Sequence, residues 1–297
     1  MEKKMVSVGR RLSLLWLCAI PLLASCASLH AERGESEVAS QTACLQWFES
    51  REATKATESG EFFSPDRLLG CFDGTIERDD VGGGTRALGE WAEDAAESRK
   101  NLVIRSHGGD AEVALAIAEN LQAQDATVFA HELCASSCAN YIFAGVVDRR
   151  ITPNTLVLFH GGFSDQSRSR IEESLERHYA QSGDRISEIG VDRARLLASF
   201  DESRMRQDAL LRRAGVDPAV IHAVDANDAS ALPAELCGGP STLPRNFVYF
   251  SDDDAAQLGL NVSEGSILND PPLVNRRIAD FGRAFIACRL PLNEIAQ

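Results

Sequence analysis

Residues 101–162 constrain this chain more than any other stretch, because they alternate strand-like and helix-like blocks with chemistry at each junction. Residues 102–105 form an apolar run that ends in the turn signal Ser106-His107-Gly108-Gly109. Val113, Ile117 and Leu121 then recur at i, i+4 and i+8, which is one face of a helix. Residues 126–133 read as strand again and break off at Cys134-Ala135-Ser136-Ser137-Cys138. A second apolar block covers residues 141–147, and a third strand over 156–159 stops at His160-Gly161-Gly162. Strand, helix and strand in this order predict an α/β unit wound as repeated β-α-β.

Open α/β sheets bind ligands outside the carboxyl ends of their strands. A serine where a strand runs into a helix has free backbone N–H groups beside it, suited to an oxyanion. The Gly108-Gly109 turn allows close backbone approach and presents a further N–H. A histidine at the next strand end is placed to take the serine's proton. Nucleophile, donors and base therefore fall at three consecutive strand ends.

The same stretch resembles the proteolytic subunit of the Clp proteases, within the Clp protease/crotonase superfamily. SHGGD stands where that family has a Ser-Pro-Gly-Gly turn, ASSCANYIFAG resembles its A-A-S-M-G-A…A-G serine segment, and LVLFHGG resembles its M-I-H-Q-P segment. Counting back nine positions from Gly145, as the family does from its matching glycine, selects Ser136 rather than Ser137. The resemblance implies Ser136 as nucleophile, His160 as base, and the N–H groups of Gly109 and Ser137 as oxyanion donors. His107 departs from the family, which has proline there. NFVYFSDDDAAQLGLN resembles the family's closing segment, but the slot of its aspartate falls on Phe247, which cannot orient an imidazole. Asn246, Asp225 and Asp228 stay open as the third member, as does a dyad with none.

The first residues read as an address. Lys3, Lys4, Arg10 and Arg11 precede an apolar core over residues 12–24, too short to span a bilayer comfortably. Leu23-Ala24-Ser25-Cys26 resembles the bacterial lipoprotein box, which implies lipidation of Cys26 as the mature N-terminus; a plain signal peptide is the alternative. Ala27 lacks the aspartate of inner-membrane retention, so the expectation is a periplasmic protein lipid-anchored to the outer membrane. Apart from Cys18 and Cys26, six of the eight cysteines remain, enough for three disulfides in any of fifteen pairings in an exported chain. Cys134 and Cys138 bracket Ser136, and a bridge between them requires Cys134 to lie outside the helix.

The expected organisation is a signal peptide over 1–25, a tether and extension over 26–65, an α/β domain with a helical insertion over 66–262, and a C-terminal extension over 263–297. Within the extension, residues 44–48 are an apolar island that docks on the body. Residues 171–179 and 192–214 carry helical patterns, a segment that serves subunit contacts in the resembling family.

A formal charge of −14 with no basic run argues against nucleic acid. There is no HExxH or CxxC, so no metal is expected, and Gly82-Gly83-Gly84 lacks the GK[ST] of a phosphate loop, so no nucleotide cofactor is expected either. The reading is a periplasmic serine hydrolase, a peptidase acting on peptides or unfolded protein. The resemblance adds a homo-oligomer, and a compartment without ATP leaves no place for an ATPase partner. The alternative is a non-catalytic binding or scaffold lipoprotein that retains the fold.

Overall fold

A computed structural model describes residues 41–51, 59–78, 83–96, 98–182, 186–226, 229–260 and 269–292. The signal segment, Cys26 and Asp228 lie outside the described residues. The structure is mixed α/β, with a mainly parallel sheet and helices. Helix α1 covers residues 41–49. Strands β1 (Glu61–Asp66), β2 (Leu69–Asp73), β3 (Asn101–Ser106), β4 (Thr127–Ala135) and β5 (Asp148–Ile151) form the sheet in that spatial order. Strand β6 (Leu156–Leu158) pairs with the far end of β4. Within this sheet, among the described residues, only the β1–β2 pairing is antiparallel.

The helices between the parallel strands are those that apolar spacing demands. Helix α2 (Gly84–Glu93) buries Leu88, Trp91 and Ala92, and α3 (Ala111–Ala123) buries Leu115, Ile117, Ala118 and Leu121. Asp110 caps α3 by accepting from the Val113 N–H at 3.0 Å, satisfying one of the donors a helix start leaves open. These faces meet the sheet in the main core, with Phe72, Leu102, Ile104 and Val128. The opposite face is covered by α1, whose Cys44 and Phe48 pack on Leu69, Val103 and Phe129. A Cys44–Cys71 disulfide ties α1 to β2.

Beyond β6 the chain is helical: α4 (Asp165–Ser182), α5 (Ile186–Arg213) and α6 (Ala219–Ala226). Gly215, at φ +74°, follows α5 in the left-handed conformation that ends many helices. Strand β7 (Arg245–Tyr249), α7 (Asp252–Gln257), α8 (Pro271–Asp280) and β8 (Ile286–Arg289) complete the described chain. Strands β7 and β8 form a small parallel sheet, and Cys237–Cys288 anchors β8 to the short turn of helix at Ala234–Cys237.

Four elements lie in the segments expected as extensions. Strand β1 and helix α1 fall within the segment read as tether and extension, and α8 with β8 falls within the C-terminal extension. Each packs through apolar side chains or a disulfide, which accounts for its inclusion.

A buried ionic network crosses the sheet under α1. Asp73, fully buried, accepts from Arg105 at 2.9 and 2.8 Å and from Arg51 at 2.8 Å. Arg105 reaches on to Glu132 at 2.6 Å, and Arg277 of α8 meets the same carboxylate at 3.2 Å. Burying these charges costs solvation, so the network fixes geometry more than it adds stability. At Glu132 the network meets a bulge. Glu132 sits at φ +57°, and the β3–β4 register slips between Ile104↔Ala130 and Ser106↔Cys134. Residues 127–130 of β4 thus pair with β5 before the bulge, and residues 133–135 pair with β6 after it. Among the described residues no helix is long and apolar enough to cross a membrane.

Candidate active site

Register brings the serine and the histidine together. Ala135 is paired with Leu158, and the Ser136 N–H donates to the Leu158 carbonyl at 2.9 Å. Ser136 and His160 therefore leave two adjacent strands at the same end of the sheet. Phe159 is held by hydrogen bonds in both directions to Val248 of β7, each 2.8 Å, which fixes where His160 begins. Oγ of Ser136 lies 2.6 Å from Nε2 of His160.

The serine's backbone is unusual. Ser136 has φ +58°, a left-handed conformation that costs a non-glycine residue on the order of 1–2 kcal/mol. It is the corner between β4 and a π-helical turn at Cys138–Phe143, and a sharp corner lifts a side chain out of its surroundings. The Cys134–Cys138 disulfide closes the corner, with Cys134 in the strand and Cys138 at the first position of the turn. The geometric requirement on that bridge is met. The apolar block over residues 141–147 begins as helix, buried on all sides, so that no amphipathic period marks it.

The glycine turn closes the other side. A Cβ on Gly108 would come within 2.6 Å of the Ser136 Cβ and 2.9 Å of the Ser137 nitrogen, so only glycine lets the two turns approach so closely. Gly109, at φ +145°, has its α-carbon against the Ile76 carbonyl, where any Cβ would overlap. Ile76 brackets this turn: its N–H donates to the Gly108 carbonyl at 2.9 Å, and its carbonyl accepts from the Asp110 N–H at 2.7 Å. The Gly108 N–H is spent on the Ser106 hydroxyl at 3.0 Å. The N–H groups of Gly109 and Ser137 donate to no other group among the described residues. His107 flanks the turn without joining the Ser136–His160 contact.

Around His160 the partners are unequal. Its Nδ1 has no hydrogen-bond partner among the described residues. Phe247 packs edge-on against the imidazole, with ring centroids 4.7 Å apart. Asn246 is exposed and borders the same pocket as His160 without bonding to it. Asp225 acts on the imidazole through its charge alone. The ring is open to solvent on one side, yet the protein packed around the rest pushes its pKa below the ordinary 6.5, while Asp225 works in the opposite direction. Burial by itself would raise the Asp225 pKa, but hydrogen bonds from Ser164, Ser167 and Arg170 hold it below the usual carboxylate value.

Two positioning residues escape sequence reasoning. Asn140, four residues after Ser136 and buried, donates to the carbonyls of His160 at 2.9 Å and Gly161 at 2.7 Å. The signal was there: one polar residue inside the apolar CANYIF run, a helical step beyond the serine. Gln207 of α5, fully buried, accepts from the Phe163 N–H at 3.0 Å and donates to the Phe163 carbonyl at 3.1 Å, holding the loop after His160. Its contact is 44 residues away in sequence, beyond the reach of any local pattern. Among the described residues no group of three His, Cys, Asp or Glu side chains is arranged to hold a metal ion.

No protein-family model matches the chain, and no curated protein does. Among solved structures it is similar to a ClpP1 mutant from Listeria monocytogenes, with 16% identity and a TM-score of 0.29, over 43% of this chain and 79% of that one.

Proposed function

We propose that the protein is a serine hydrolase, a peptidase that cleaves peptides or unfolded segments with Ser136 as nucleophile and His160 as base. The observation that carries this reading is the 2.6 Å contact between Ser136 Oγ and His160 Nε2 at a strained strand-to-helix corner. Backbone strain held at a reactive side chain is characteristic of functional positions. Beside it lie two main-chain N–H groups with no internal partner. The order of strands and the split pairing of β4 support a Clp protease/crotonase-like spiral as the fold.

In this reading His160 Nε2 takes the proton of Ser136 Oγ as the oxygen attacks the substrate carbonyl. The carbonyl oxygen gains charge and is received by the N–H groups of Gly109 and Ser137. The intermediate collapses as Nε2–H delivers its proton to the departing amine, leaving an acyl-serine. Water then repeats the sequence, giving up a proton to His160, releasing the acid and restoring the serine. A base that accepts at Nε2 must carry its proton on Nδ1, where an aspartate ordinarily holds it. Here edge-on packing by Phe247 restrains the ring instead. Without that carboxylate the rate falls by about 10⁴-fold in well-studied triads, so turnover is slow.

The lipoprotein box of the sequence, with no aspartate at Ala27, supports a location in the periplasm, on the outer membrane, reached through Cys26. A homo-oligomer, no nucleic acid and no ATPase partner complete the reading. The second reading is a binding or scaffold lipoprotein without turnover, favoured by Phe247 in the aspartate's place. A cleavage assay on an unfolded, fluorescently quenched protein separates them. The hydrolase releases signal that Ser136→Ala abolishes; a folded wild-type protein that releases none supports the scaffold.

A further inference from the structure

The hollow on the flank of His160 has no part in the chemistry above. Its volume is about 260 Å³ and the residue His160 forms part of its wall. The polar groups around it are Gln166 and Arg170 from α4, Asp225 from α6, and Arg245 and Asn246 from β7. Two guanidinium groups thus face a single carboxylate.

That carboxylate is already engaged. Asp225, with a buried side chain, accepts from the hydroxyl of Ser164, from the Ser167 N–H at 3.0 Å and hydroxyl at 2.6 Å, and from Arg170. The arginines keep donors in reserve. Arg170 uses Nη2 on Asp225 and on the Ser167 hydroxyl, and its side chain is 54% exposed. Arg245 uses Nη1 on the carbonyls of Leu232 at 2.6 Å and Ser230 at 3.4 Å. An arginine has five N–H donors, so each has others with no partner among the described residues. One positive charge in excess and the N–H donors left on both guanidinium groups define a site for a planar anion, and arginine N–H donors match a carboxylate in both charge and shape.

The position says which part of a substrate would enter. The imidazole passes its proton to the leaving group, so a hollow walled by the same imidazole adjoins the segment after the cleaved bond. We infer that this hollow is a subsite for a carboxylate on the leaving-group side of the substrate, supplied by an acidic side chain or by the terminal carboxylate. The direction along the substrate rests on the Ser136–His160 reading; the recognition of a carboxylate does not. The chain's charge of −14 opposes an acidic ligand at long range. At physiological salt that repulsion is screened beyond about 8 Å, whereas hydrogen bonds inside the hollow are not.

The test is isothermal titration of full-length Ser136→Ala protein with three hexapeptides of one sequence: a neutral glutamine amide, the same amide with glutamate for glutamine, and the glutamine peptide with a free carboxyl terminus. A charge-assisted hydrogen bond predicts that a carboxylate-bearing peptide binds about tenfold more tightly than the neutral one. Arg245→Gln in the same background is expected to bring that ratio close to one, and Arg170→Gln serves if the first variant does not fold. Whichever carboxylate gives the larger ratio identifies the source. Equal or undetectable affinities for all three peptides overturn the proposal, as does a preference that survives in the folded arginine variants. Because binding is read without turnover, a wild-type protein that fails to cleave counts against the hydrolase and leaves this subsite standing.

Discussion

Asn140 ties the serine's turn to the histidine's loop: its side-chain nitrogen donates to the carbonyls of both His160 and Gly161, at 2.9 and 2.7 Å. The nucleophile and the base belong to different strands, and one amide spans the gap between them. Asn140→Leu keeps the volume and removes both donors. Two carbonyls lose their partners, at a cost of about 2–4 kcal/mol in denaturant unfolding. Labelling of Ser136 by a fluorophosphonate should slow by about 10- to 100-fold, since a shift near 1 Å is enough for that. A positioning role leaves the midpoint of the pH profile in place while its height falls; a shifted midpoint would count against it.

The three disulfides separate stability from function. Cys237–Cys288 closes a long loop and Cys134–Cys138 a very short one, with separations of 51 and 4 residues. Loop-closure entropy assigns about 4 kcal/mol to the first and about 2 kcal/mol to the second. Paired Cys→Ala variants should follow that order in denaturant midpoints. The order should reverse for Ser136 labelling, because only Cys134–Cys138 restrains the corner at φ +58°. Equal labelling rates in the two variants would remove the corner's disulfide from the account.

The pH profile carries a sign. Burial lowers the His160 pKa below 6.5, and the charge of Asp225 partly restores it. The neutral, basic form is the one that accepts the serine's proton, so the acid limb of the labelling rate should have its midpoint below 6.5. Asp225→Asn removes the charge that raises the pKa and should move that midpoint further down. A midpoint above 6.5 in the wild-type protein, or an upward move in the variant, contradicts this electrostatic picture.

Phe247 makes a separate prediction. Its ring restrains the imidazole from the side and leans on Phe285, with centroids 4.7 Å apart in both pairs. Phe247→Ala should cost about 1–3 kcal/mol, since the side chain is only partly buried. Water admitted beside His160 relieves desolvation, so the acid limb should rise toward 6.5 as the labelling rate falls. Unchanged labelling would mean that the ring's orientation is set elsewhere.

How much of this was legible in the sequence follows from where each signal resides. Ser136 and His160 stand at the ends of apolar runs, and a period-two or continuous apolar strand announces itself. The glycine turn was visible because Gly108 and Gly109 meet a local backbone demand. Strand β5 was not visible, because Asp148-Arg149-Arg150 reads as a charged loop. Arg149 is in fact buried, its guanidinium donating to the carbonyls of Ala144, Val146, Ala214 and Gly259. Strand β1 is an exposed edge that carries Pro65 and a register slip, so it lacks an apolar face. Strand β8 is four residues long and pairs with β7 about forty residues earlier, a partnership no local pattern records. The arginines at the flank of His160 come from helix α4 and strand β7, and only the folded chain brings them to one hollow.

The most direct measurement is peptide mapping after treatment of the folded protein with a fluorophosphonate. The account predicts a single adduct on Ser136, absent when the protein is first denatured and lost in His160→Ala as well as Ser136→Ala. A folded protein that takes up no adduct, or one modified at another serine, contradicts it.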